Sequence, residues 1–184
     1  MKGTVVSTWV GSSRKLFGDE IVNDALIKNG LDGHHIFHPL EDIPDEVAMG
    51  IVNDIGNAAG KTKKEIWSIV GQENIKTFSK KYPGFFKHKN AYQFLKSMND
   101  VHVIVVKRIK GSIPPGLDVK VISSREIEFT YRSKRGMTDY LEGLIIGVGN
   151  YFNENLETEL ISKGEDSAKF KITFENDIHY EKKY

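Results

Sequence analysis

The sequence predicts an α+β fold: a helical N-terminal subdomain, then a C-terminal mixed subdomain containing a small antiparallel sheet. Three observations predict it. Up to about Ile109, apolar residues recur at three- and four-residue intervals, the period of a helix face. After "GSIPPG", residues 111–116, they alternate with polar residues, the period of a half-buried strand. Finally, a chain of 184 residues with no internal repeat, low-complexity tract or flexible linker is one domain, long enough to bury a substantial core. The expected division within it gives subdomains 1–61 and 62–184.

The elements follow in order. Val5, Trp9 and Leu16 sit near helical spacing, and Gly18 is the stop. A second helix spans 19–29 and ends at Gly30. Pro39 and Pro44 mark a turn, and a third helix runs from Asp45 to Gly60. Thr62 and Glu65 form a capping-box pattern. The helix they open carries Ile66, Val70, Asn74 and Phe78 at four-residue spacing. "KYPGFFKHKN" breaks the chain before a long helix from Asn90 to about Ile109. Within that helix, "VHVIVV" is rich in β-branched residues and locally favours a strand. Yet Phe94, Leu95, Met98, Val101, His102, Val105 and Ile109 lie on one helical face, and periodicity decides for helix. "LDVKVISS" and "REIEFTYR" then read as an antiparallel pair, "MTDYLEGLIIGVGNYFNE" as a helix, and "LETELIS" with "SAKFKITFE" as a closing hairpin.

Composition excludes several function classes. The formal net charge is +1, so no general electrostatic grip on nucleic acid or an anionic membrane is expected. The absence of cysteine removes disulfides, thiolate metal sites, iron–sulfur clusters and a cysteine nucleophile together. The N-terminus lacks the apolar core and cleavage site of a signal peptide, and the apolar runs are far short of a membrane span. The expectation is a soluble, cytoplasmic chain, whether stand-alone or part of a membrane receptor.

Two features carry chemistry. The first is "EFTYRSKRGMTDY", residues 128–140, where Tyr131, Ser133 and Arg135 recur at every second position. In extended chain they would place a phenol, a hydroxyl and a guanidinium on one face. Such donors can converge on carboxylates, the guanidinium most strongly because its bond is charge-assisted. The second is His102, set among Val101, Val103 and Ile104 on the apolar stripe. A buried histidine must satisfy its nitrogens or ligate something. His34, His35, His38, His88 and His179 read instead as solvated, and "HHIFH" has no fixed metal-binding spacing. Together, one metal-binding histidine and a donor cluster for carboxylates describe a heme site. The alternatives are a hydrogen-bonded core histidine and an exposed basic turn at "SKRG".

On these residues the sequence resembles the heme nitric oxide/oxygen-binding (H-NOX) family, which includes the heme region of soluble guanylate cyclase. The resemblance covers essentially the whole chain, through "MKGTVVSTWV", "PLEDIPDE", "EIWSIVGQENIKTFSKKYPGFF", "FLKSMNDVHVIVVKRIKGSIPP" and "TYRSKRGMTDYLEGLI". It implies heme b (iron protoporphyrin IX) buried between the subdomains, with His102 as iron ligand and Tyr131, Ser133 and Arg135 holding the propionates. It places Val5, Phe78 and Leu144 around the gas pocket and Pro115 against the porphyrin. Members that hold oxygen stably have a distal tyrosine supported by a tryptophan and an asparagine, and Tyr140, Trp9 and Asn74 stand at those positions.

The implied function is a gas sensor for nitric oxide, oxygen and carbon monoxide, and not an enzyme. Nitric oxide would loosen the histidine bond and signal to a histidine kinase, a cyclic-dinucleotide enzyme or a fused chemoreceptor, the last linking it to chemotaxis. A heme peroxidase or oxygenase would want a distal acid–base pair, typically histidine with arginine. A non-heme module for a carboxylate ligand would need the donor trio without His102.

Overall fold

The computed structural model describes residues 1–179, apart from the side chain of Val105. The tail from 180 to 184, including most of "HYEKKY", lies outside the described residues, and so does the Val105 side chain counted above on the apolar stripe. Four helices come first: α1 (Gly3–Phe17), α2 (Asp19–Lys28), α3 (Asp45–Ala58) and α4 (Lys63–Lys81). A 3₁₀ turn (Pro83–Phe86) leads into α5 (Ala91–Arg108). Then come β1 (Gly116–Val121), β2 (Glu126–Arg132), α6 (Thr138–Phe152), β3 (Leu156–Lys163) and β4 (Ser167–Phe174). The fold is α+β, as the change of period predicts.

Local chemistry sets the boundaries. Only Gly18 separates α1 from α2, and its φ of +88° is a conformation that side-chain-bearing residues avoid. The capping box before α4 is complete: the Thr62 oxygen accepts from the Glu65 N–H at 3.3 Å, and Glu65 accepts from the Thr62 N–H at 2.7 Å. In α5 the periodicity prevails over β propensity, and the helix continues through "VHVIVV" to Arg108. The packed first half, with Ala91, Tyr92, Phe94 and Leu95 buried, carries the helix into a run whose opposing preference is about 1 kcal/mol across the whole β scale.

The four strands form one antiparallel sheet in the order β1-β2-β4-β3. Alternation along β4 buries Ala168, Phe170, Ile172 and Phe174 on one face, opposite Ile127, Phe129 and Tyr131 of β2. Each large apolar side chain so buried contributes about 1.5–3 kcal/mol before entropy is counted. Around this face gathers one core cluster, with Phe94 and Leu95 of α5 and Leu141, Ile145 and Val148 of α6. A second cluster joins α1, α2 and α3 through Val6, Trp9, Leu26, Ile51 and Ile55. Helix α4 serves both: Ile66, Trp67 and Val70 face the second cluster, Ile75 the first.

Helices α4 and α6 approach closely because glycines line their contact. A Cβ on Gly71 would come 2.6 Å from the Tyr140 carbonyl, and one on Gly143 would run into the Ser68 backbone. This contact sets Asn74 on α4 beside Tyr140 on α6. Among the described residues, no helix is long and apolar enough to cross a membrane.

Candidate functional site

Helix α5 carries His102 into a mostly protein-lined position. Its Nδ1 lies 3.1 Å from the carbonyl oxygen of Pro115. A carbonyl can only accept, so Nδ1 bears the proton and donates it. Nε2 is therefore the nitrogen with the lone pair. Burial lowers the His102 pKa, and the bond to Pro115 pushes back against that shift. The ring is neutral near pH 7, with one nitrogen anchored and the other able to ligate, the usual state of a metal-binding histidine.

Tyr131, Ser133 and Arg135 do not lie along one strand as the extended-chain expectation has it. Strand β2 ends at Arg132, so only Tyr131 points from the sheet. The Ser133 N–H donates to the Asp166 carbonyl at 2.8 Å, and the chain then turns. Within the turn the Arg135 N–H donates to the Ser133 hydroxyl oxygen at 3.3 Å, and Gly136 closes it at φ +58°. Nor is Arg135 an exposed basic residue. Its Nε donates to Asp45 at 2.7 Å and its Nη1 to the Ile113 carbonyl at 2.8 Å. Its Nη2 and the Tyr131 hydroxyl have no partner among the described residues.

Asp45 also accepts from the Met1 ammonium at 2.7 Å, so one carboxylate ties the chain start to the Arg135 turn. Burial would raise the Asp45 pKa, but these two cations outweigh it and hold the carboxyl below its ordinary value.

The third group does converge. Asn74 is fully buried, and its Nδ2 donates to the Tyr140 hydroxyl oxygen at 3.0 Å. Trp9 packs edge-on against Tyr140, with ring centroids 5.4 Å apart. Tyr140 as a residue keeps partial exposure, but its oxygen lies deep among neighbouring atoms. Burial pushes its pKa up to about 12, although Trp9 and Asn74 act in the opposite direction. The Trp9 indole N–H has no partner at hydrogen-bonding geometry, yet it is near enough to favour negative charge on the phenol. Asn74 is the donor to the phenol oxygen. Val5, Phe78, Leu144 and Pro115 are all half-buried. Val5 packs on the N-terminal cluster, Phe78 and Leu144 on the sheet cluster.

Three residues that sequence reasoning missed belong to these groups. Trp67 stacks edge-on against both Trp9, at 5.0 Å, and Tyr140, at 5.8 Å, while its N–H donates to Asn53 at 2.9 Å. Seven residues before Asn74, it shares a helical face with it, a signal that was available. Ser12 donates to Asn74, and it too could be found, three residues after Trp9 on one face. Asp45 gives no local signal. Among the other histidines, His35 and His88 are half-buried rather than solvated, and His88 lies 3.1 Å from the Ser97 hydroxyl. No group of three or more His, Asp or Glu side chains among the described residues is placed to hold a metal ion.

The haem-NO-binding family model matches residues 2–160, most of the chain. The chain belongs to the haem-NO-binding, or H-NOX, family. No curated protein matches it. Among solved structures, it is similar to an oxygen-binding H-NOX domain related to soluble guanylate cyclases, in its oxygen complex. The two are 38% identical over 100% of both chains, with a TM-score of 0.89. It is also similar to a mutant of the T. tengcongensis H-NOX, 38% identical over 97% of this chain and 100% of that one, with a TM-score of 0.91. A structure concerned with H-NOX activation matches at a TM-score of 0.93 and 38% identity, over 98% of this chain and 100% of that one. As an H-NOX protein, the chain is a heme-based gas-sensing domain.

Proposed function

We propose that this H-NOX domain holds heme b through His102, senses nitric oxide with it, and retains oxygen through Tyr140. The observation that carries the oxygen reading is the direction of one hydrogen bond. Asn74 donates to the Tyr140 oxygen, so the phenol proton is not spent on Asn74. It remains available to a ligand. The outer atom of dioxygen develops partial negative charge when bound, and a phenol donor in a dry pocket stabilises that charge. Carbon monoxide and nitric oxide polarise less and need no such donor.

The residues present fit the cofactor. Its iron, two carboxylates and flat apolar ring find a neutral imidazole nitrogen, uncommitted donors and half-buried apolar side chains. When bound, heme supplies a ferrous iron that takes a diatomic gas. The chain's residues do the rest. His102 offers Nε2, with its tautomer held by Pro115. Arg135 offers Nη2, with Tyr131 and Ser133 as further donors to the propionates. Val5, Phe78, Leu144 and Pro115 would exclude water around the ring.

An absorption spectrum tests this reading. A Soret band that shifts with oxygen, carbon monoxide and nitric oxide is expected, and a protein that binds no heme overturns it. On the proximal side, nitric oxide would weaken the hold on His102 and let α5 move relative to the N-terminal helices. A histidine kinase, cyclic-dinucleotide enzyme or fused chemoreceptor could read that motion, provided the two states differ in their affinity for nitric oxide. Hydrogen exchange over residues 1–30 and 90–109 should change with nitric oxide; identical exchange removes the mechanism.

The clamp is tested separately. Arg135→Ala should weaken heme retention more than Ser133→Ala, because a charge-assisted bond contributes about 1.5–3 kcal/mol and a neutral one about half that. Because Arg135 also pairs with Asp45, Asp45→Asn, which weakens that pair and the contact with the Met1 ammonium together, serves as the control for loss of the carboxylate. Heme transfer to apomyoglobin measures retention. Equal retention by the Arg135 and Ser133 variants would remove the guanidinium from the clamp.

A further inference from the structure

We infer that Ser12 is a positioning residue for the gas ligand: it fixes which way the Asn74 amide faces, and so keeps the Tyr140 hydroxyl proton free. The inference rests on the reading that Tyr140 donates to oxygen. Ser12 is on α1, Asn74 on α4 and Tyr140 on α6, so the three side chains form a relay across three helices. The Ser12 Oγ lies 2.6 Å from Asn74 Oδ1, and Asn74 Nδ2 lies 3.0 Å from the Tyr140 oxygen. Ser12 and Asn74 are almost completely buried, so water cannot stand in for a lost partner.

The amide could be turned over without changing its shape. Its nitrogen would then donate to Ser12, and its oxygen would accept the Tyr140 proton. Bond lengths separate the two arrangements. Bonds of the O–H···O kind centre near 2.7–2.8 Å and N–H···O near 2.9–3.0 Å. The short contact is at Ser12 and the longer one at Tyr140, which assigns the Asn74 oxygen to the serine hydroxyl. Thr77, with its hydroxyl oxygen 3.5 Å from the Ser12 Oγ, can supply Ser12 with a donor in turn.

Without the serine hydroxyl, the Asn74 oxygen is left buried and unpaired. Turning the amide over lets that oxygen accept from Tyr140 and leaves the NH₂ facing the alanine methyl instead, so the native orientation loses the bond that fixed it. The phenol proton is then occupied, and the gas loses its donor. Ser12 thereby acts on oxygen through two intervening side chains and touches neither the gas nor heme.

Three variants and two readouts test this. In the ferrous protein, Ser12→Ala should speed oxygen release by about tenfold or more, as for loss of one buried hydrogen bond, and leave carbon monoxide release within a few-fold. Ser12→Thr keeps the hydroxyl and should restore slow release. In a Tyr140→Phe background, Ser12→Ala should add almost nothing. The second readout is independent of oxygen. In the diamagnetic carbon monoxide complex labelled with ¹⁵N-asparagine, the Asn74 side-chain NH₂ protons should show cross-relaxation to the Tyr140 ring. In Ser12→Ala they should show it to the residue 12 methyl instead.

If Tyr140→Phe speeds oxygen release and Ser12→Ala does not, the role of Ser12 is overturned while the oxygen reading stands. Failure of Tyr140→Phe to act overturns the oxygen reading and the gas role of Ser12 with it. An amide that keeps facing Tyr140 in Ser12→Ala overturns the orienting role, whatever the release rates. Equal acceleration of oxygen and carbon monoxide release would mean that Ser12 only supports the packing, and would also overturn it.

Discussion

His102→Gly yields protein that purifies without heme, or regains it only when imidazole is supplied. The expectation follows from the division of labour in the ring. Nδ1 is committed to the Pro115 carbonyl, so Nε2 is the nitrogen that can hold iron. Glycine removes both and leaves space the size of an imidazole, which the free molecule can fill. Glycine inside α5 also costs about 1 kcal/mol of helix stability. His102→Ala therefore separates ligand loss from helix loss, since alanine favours helix. The heme-to-protein ratio and the ferrous absorption spectrum, with and without imidazole, are the measurements. A variant with an unchanged five-coordinate ferrous spectrum would falsify the assignment.

Tyr140→Phe speeds oxygen release by about tenfold to a hundredfold and leaves carbon monoxide within a few-fold. The substitution keeps the ring, its edge-on contacts with Trp9 and Trp67, and nearly all the volume. It deletes only the hydroxyl. A donor hydrogen bond in a dry pocket contributes about 1–3 kcal/mol, which is that range of affinity. Trp9→Phe and Asn74→Ala should act the same way by smaller amounts, since they work through the phenol. In the Tyr140→Phe background their effects should largely vanish, as expected of one network. The phenol has a pKa pushed up to about 12, so it remains a protonated donor across the neutral range. Oxygen release from the native protein should show no dependence on phenol ionisation there. Stopped-flow or laser-flash kinetics on the ferrous protein measure both rates. An unchanged oxygen off-rate in Tyr140→Phe would mean that the phenol points elsewhere.

The helices and strands were legible because each has a periodic face or a chemical boundary. At "VHVIVV" helical periodicity correctly outweighed a β-branched run, and α5 continues to Arg108. At Thr62 and Glu65 the cap was visible in two letters of sequence. Asn74 announced itself as a polar residue in an apolar stripe, which demanded a buried partner. Its partner Tyr140 was reached through the family resemblance alone, and Ser12 was not reached at all. Ser12 is 62 residues away and Tyr140 66, and no local rule pairs positions so distant. The alternation of Tyr131, Ser133 and Arg135 reads as strand geometry, but β2 stops at Arg132, and Ser133 and Arg135 lie in the turn that follows.

The sequence by itself determined the α+β class, the family, and the residue types a heme site requires, because periodicity and short motifs are local properties of the chain. Only the tertiary structure decided which of those groups are already spoken for. Arg135 is shared with Asp45, 90 residues away, and the His102 tautomer depends on the Pro115 carbonyl. The Tyr140 oxygen meets the Asn74 amide because Gly71 and Gly143 let α4 and α6 come close enough. Hydrogen-bond direction is set by the last ångström of helix packing, and a pattern of letters does not carry that distance.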